Sequence, residues 1–117
     1  MMHTIPGLDK ELASFAKNLG CSWIGAVLIE PKPLCTELNC HSNVLNYVNN
    51  YGGTRKIGYY FLKNLVTNKF EAILHSILEK NGKLIDITPF DDSREYNIIG
   101  ILAKQDNFHG LLPHILQ

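Results

Sequence analysis

The sequence has no surplus of charge. Eleven Lys and Arg balance eleven Asp and Glu, so the net charge is zero with neutral histidines. Binding along a phosphate backbone needs a basic patch or stripe, and no basic run here exceeds the neighbours Arg55 and Lys56. Nucleic acid is therefore not an expected partner. Long apolar runs are missing too. No stretch approaches the ~18 residues of a membrane-spanning helix, so no membrane is expected either. Residues 1–7 lack the charged and apolar regions of a secretory leader. Cysteine is scarce, and its count of three is odd. One disulfide at most can form. Reduced thiols in a cytoplasmic protein are the expectation, with delivery into a host or target cell left open. There is no internal repeat, low-complexity tract or linker, and 117 residues fit a single domain spanning 1–117.

What is present is an alternation of periodicities. Leu8, Leu12, Phe15, Ala16 and Leu19 recur at helical spacing, so residues 8–19 are expected as a helix capped by Asp9 and stopped by Gly20. Residues 23–29 are a short apolar run with β-branched members, expected as a strand that ends at Pro31 and Pro33. Residues 41–51 place Val44, Leu45, Val48 and Tyr51 on one helical face and end at Gly52-Gly53. Beyond that point the pattern is β: strands over 57–62, 70–79, 83–88 and 96–102, with the tail over 108–117 docking irregularly. Asn81-Gly82 between the second and third of these is a strong hairpin signal. The expected fold is α+β, two helices packed on a small antiparallel sheet that runs as a meander.

Chemistry gathers around Cys40. It opens the second helix, where free N–H groups and the positive end of the helix dipole favour a thiolate. A two-residue turn at Asn81-Gly82 pairs Lys80 with Lys83. His75 then faces Thr88 and Ile77 faces Asp86, which puts His75 and Asp86 on one face as diagonal neighbours. A carboxylate beside an imidazole fixes its tautomer and supports its charged form. The second helix is expected to pack on this face and bring Cys40 toward His75.

The order Cys40, His75, Asp86, with the histidine in Ala72-Ile-Leu-His75-Ser and the aspartate in Leu84-Ile-Asp86-Ile-Thr-Pro89, resembles the papain-like thiol enzymes, closest to their transglutaminase-like branch. The resemblance spans residues 39–90. The strings Cys40-His41-Ser42-Asn43-Val44 and Leu84-Ile-Asp86-Ile-Thr-Pro89 also look like segments of small uncharacterised bacterial and phage proteins. His41 stands where the family has tryptophan, and there is no clear upstream glutamine for an oxyanion hole, so Asn39 or Asn43 are the substitutes. The resemblance implies a papain-like minimal core and acyl transfer on an amide bond, by a peptidase, amidase, deamidase or transglutaminase-like enzyme. Cys40 would be the nucleophile, His75 the acid–base and Asp86 its orienter, with no cofactor and a protein or peptide as substrate. A chain this short leaves room for a second subunit or a protein partner to complete the cleft.

Each of these residues also has a plainer reading. Cys40 could be a small buried hydrophobe, and His75 a core histidine satisfied by Asp86. Either would leave a non-catalytic interaction module. Cys35, Cys40, His41 and His75 offer soft ligands for a zinc-stabilised domain, although their spacing matches no common finger. Cys21 and Cys35 read as structural, with Cys35 a resolving thiol only if it lies near Cys40. Tyr59-Tyr60-Phe61 reads as core, and Asp91-Asp92 as a solvated turn. His109 and His114 read as surface residues, and Glu71 and Glu79 suggest no acid–base pair.

Overall fold

The computed structural model describes residues 2–105 and the backbone of 115–116; the expectations for residues 108–114, His109 and His114 among them, lie outside the described residues. The elements are β1 (His3–Thr4), α1 (Lys10–Asn18), β2 (Cys21–Leu28), α2 (Cys40–Tyr51), β3 (Thr54–Asn64), β4 (Lys69–Lys80), β5 (Lys83–Ile85), β6 (Tyr96–Leu102) and β7 (Ile115–Leu116). Asp9 caps α1 by accepting the Leu12 N–H at 2.9 Å, and Gly20 follows with φ of 92°. Asn81 and Gly82, with φ of 53° and 75°, make the two-residue turn whose twist matches the flanking strands. The register that follows is Lys80↔Lys83, Glu79↔Leu84 and Leu78↔Ile85.

All strands join one antiparallel sheet in the order β2-β6-β3-β4-β5, with β1 added to β3 and β7 to β4. The expected meander is therefore corrected. β6 inserts between β2 and β3, pairing Ala26 with Ile98 on one side and Phe61 with Ile98 on the other. Its composition explains this: Ile98 packs into one core and Ile99 into another. A strand apolar on both faces belongs in the middle of a sheet.

The ends of the sheet meet. The Asp86 N–H donates to Leu28 O at 3.0 Å and the Glu30 N–H to Asp86 O at 2.8 Å, a parallel bridge between Ile29 and Asp86. The strand expected over 83–88 stops at Ile85 because the chain leaves β4 to make this bridge. The sheet is thus nearly closed into a barrel. Val27, Tyr60, Ile77, Leu84, Ile99 and Ile101 form one cluster contributed by all five strands of the path, the inside of that barrel. The expectation of two helices laid on a small sheet, a papain-like minimal core, does not hold. Both helices cover the outside. α1 packs through Leu12 and Ala16 on Ile57, Tyr59, Phe61, Leu74 and Ile98, while α2 packs through Val44, Tyr47 and Val48 on Leu78, Ile85 and Ile87. No helix among the described residues is long and apolar enough to cross a membrane.

Glu71 is buried and does have partners: His3 Nε2 lies 2.8 Å from Oε1, and Asn64 Nδ2 donates to Oε2 at 2.9 Å. This tie fastens β1 to β3 and β4.

Candidate active site

Strand alternation puts His75 and Ile77 inside the barrel, and Ser76 and Leu78 toward α2. α2 therefore lies on the face opposite the one expected from the sequence. Cys40 reaches His75 by another route. On its outer side β4 pairs with β7 through Ala72 and Ile73 and with β5 from Leu78 onward. Among the described residues no strand covers the stretch between. The start of α2 fills that gap, and the Ser76 backbone N–H hydrogen-bonds the Cys40 side chain.

His75 is 3% exposed and Asp86 0%. His75 Nε2 lies 2.8 Å from Asp86 Oδ2, which leaves Nδ1 for the hydrogen bond between the ring and Cys40. Tyr60 meets the ring edge-on at 5.1 Å between centroids, and Phe90 lies at 5.8 Å. Burial alone would keep the imidazole neutral. The Asp86 charge and hydrogen bond, followed by those of Cys40, outweigh it and raise the His75 pKa to about 9. Burial likewise pushes the Cys40 thiol up. Hydrogen bonds from His41 and His75, the His75 charge and the Ser76 N–H overcome that and bring it down to about 6. Between those two values the site holds a thiolate and an imidazolium.

The other two thiols differ. Cys21 packs against the α1 core, and burial raises its pKa to about 11. Cys35 packs against Val44, Leu78 and Ile87. All three cysteines are free thiols. No protein-family model, curated protein or solved structure matches the chain. The chemistry of the site therefore has to be read from its own geometry.

The structure thus brings Cys40, His75 and Asp86 together. It does not bring the two asparagines to the thiol as free donors. Asn43 is buried with its amide hydrogens committed to Thr36 O at 2.8 Å and Thr88 Oγ1 at 3.0 Å. Asn39 Nδ2 donates to Thr36 Oγ1 at 2.7 Å, and its side chain does not cap α2. Together they staple the loop before α2 to the strand end that carries Asp86. Sequence reasoning missed the roles of His41, whose Nδ1 bonds the Ser76 hydroxyl, and of Asn97, fully buried beside Asp86. Adjacent Cys-His at a helix start, and one asparagine inside an otherwise apolar strand, were the signals for both. No group of three or more His, Cys, Asp or Glu suited to a metal ion occurs among the described residues.

Proposed function

We propose that the chain is a thiol-dependent acyl-transfer enzyme that attacks an amide bond of a protein or peptide. The observation that carries this is a partly exposed thiol with its pKa near 6, hydrogen-bonded to a buried histidine that is itself held by a fully buried carboxylate. A structural cysteine needs neither the acidity nor the buried ion pair, whose desolvation is costly.

The Cys40 thiolate adds to the carbonyl carbon, forming a C–S bond. The oxyanion that develops accepts from the backbone N–H of Cys40 at the uncapped start of α2. His75, already carrying the proton, gives it to the leaving amine as the C–N bond breaks. Water or a second amine then attacks the thioester and passes its proton to His75, and the C–S bond breaks to restore the thiolate. Asp86 holds the ring in one orientation throughout. Water makes the enzyme a hydrolase, and an amine makes it a transferase.

Acylation is tested with p-nitrophenyl acetate, followed by a peptide-amide panel. The wild-type chain should release a burst of nitrophenol and acquire one acetyl group on Cys40, found by mass spectrometry. Its acylation rate should rise with pH through about 6 as the thiol ionises and fall through about 9 as His75 loses the proton. Cys40→Ala should lose the burst entirely. A Cys40→Ala protein that acylates as fast as the parent would refute the assignment.

A further inference from the structure

The polar network does not stop at Asp86. Its carboxylate accepts from His75 Nε2 and, on the same Oδ2, from Asn97 Nδ2 at 2.9 Å, while Oδ1 accepts the Thr88 N–H at 3.3 Å. Asn97 lies directly opposite Val27 on β6 and is 0% exposed. Its Oδ1 accepts from Arg94 at 2.9 Å. The amide can be placed only one way round. A carboxylate only accepts and a guanidinium only donates, so the NH2 must face Asp86 and the oxygen must face Arg94.

Arg94 is fixed in turn. It makes three contacts with Asp92, at 2.6, 2.8 and 3.0 Å. Its guanidinium lies 4.5 Å from the Phe90 ring and 5.7 Å from the Tyr60 ring, the two rings that flank His75. The charged and titratable groups around the His75–Asp86 pair are then Cys40 and His41 from α2, Tyr60 from β3, and Arg94 and Asp92 from the turn before β6. Burying an asparagine in a barrel interior built from Val27, Ile77 and Ile99 costs desolvation. An aliphatic residue would fill that place unless the amide served the carboxylate.

We infer that Asn97, locked by Arg94, is a positioning residue: it pins Asp86 Oδ2 so that the carboxylate faces His75. This rests on the reading of Cys40, His75 and Asp86 as one site, and it adds the residues that hold the site's third member in place. Without the amide, Asp86 loses one of its three hydrogen bonds in a buried setting. It is then free to rotate away from the ring. That weakens the charge opposite His75, and the loss is passed on to the thiolate.

The test uses the full chain with Asn97→Ala and Arg94→Met. Methionine keeps an apolar stem against Phe90 and Tyr60 but donates nothing. The first readout is the pH profile of iodoacetamide alkylation at Cys40, resolved by mass spectrometry. The second is the low-field proton resonance of the imidazole N–H bonded to Asp86. In Asn97→Ala the alkylation midpoint should rise by about one unit from its starting value near 6, and the low-field resonance should vanish. Arg94→Met should shift the midpoint the same way by a smaller step. A purely structural asparagine would lower the melting temperature and leave the midpoint and resonance alone, and that result overturns the inference. Should Asn97→Ala fail to fold, an unshifted midpoint in Arg94→Met overturns it equally. Alkylation needs no acyl transfer, so this test reads out even if Cys40 proves to have no substrate.

Discussion

Replacing His75 with asparagine should turn the Cys40 thiol from mostly ionised at pH 7 to mostly protonated. In the intact site, burial raises the thiol pKa, and hydrogen bonds from His41 and His75, the His75 charge and the Ser76 N–H lower it to about 6. Asparagine removes the charge and one of the hydrogen bonds while leaving a polar group beside Asp86. Burial then stands against His41 and the Ser76 N–H alone. The midpoint should climb by about two units or more, toward or past the ordinary thiol value of 9.0. That takes the thiolate fraction at pH 7 from about nine-tenths to under about a tenth. The measurement is the pH dependence of alkylation at Cys40, whose midpoint does not depend on how nucleophilic each thiolate is. A midpoint still near 6 would assign the acidity to His41 instead, and His75 would lose its place in the proposed mechanism.

The second large effect is structural. A Cβ on Gly58 would stand 1.9 Å from the Gly100 carbonyl oxygen and 3.0 Å from the Ile101 Cα. Both are backbone atoms of β6, the strand that Gly58 pairs with through Ile101. Neither can swing aside as a side-chain tip would. Gly58→Ala must therefore push β3 and β6 apart in the middle of the barrel and open the ladder on which Phe61 and Ile98 pack. A loss on the order of 4–5 kcal/mol is expected, enough to leave a small domain partly or wholly unfolded. Urea denaturation followed by circular dichroism measures it. Gly7→Ala is the control, because a Cβ there meets nothing within 4 Å. A Gly58→Ala protein as stable as the Gly7 variant would mean that the strands are not this close.

Local signals in the chain were strong, and closure was not among them. Asp9, Gly20, the Gly52-Gly53 stop and the Asn81-Gly82 turn each act through neighbouring residues, so the helices and the hairpin register from Lys80↔Lys83 to Leu78↔Ile85 are legible, whereas the expected pairs Ile77↔Asp86 and His75↔Thr88 do not form because Asp86 bridges Ile29. The placement of β6 follows from Ile98 and Ile99 needing separate cores. The barrel depended on a bridge between Ile29 and Asp86, residues far apart in sequence that no local pattern links. Because that bridge closes the sheet, the His75 face becomes the barrel interior and α2 packs on the opposite one. The site residues still come together, because Cys40 enters through the uncovered stretch of β4 rather than across the inner face. Asn39 and Asn43 stand beside the thiol in sequence, but proximity in sequence does not make them oxyanion donors. The structure uses their amides to hold Thr36 and Thr88.

The thiolate–imidazolium pair has a thermodynamic side. His75 is raised to about 9 from an ordinary 6.5, so its contribution to stability is complete below 6.5 and is lost as pH rises through 9. Cys40 is lowered to about 6 from 9.0, so its contribution is complete above 9.0 and is lost as pH falls through 6. Between roughly 6.5 and 9 the two slopes oppose each other. In that range the unfolded chain keeps one proton on the thiol and none on the ring, whereas the folded chain keeps one on the ring and none on the thiol. Folding moves a proton from sulfur to nitrogen without exchanging any with the solvent. The thiol is thus charged by closure of the barrel itself, and over the neutral range this pair adds no pH dependence to the stability of the fold.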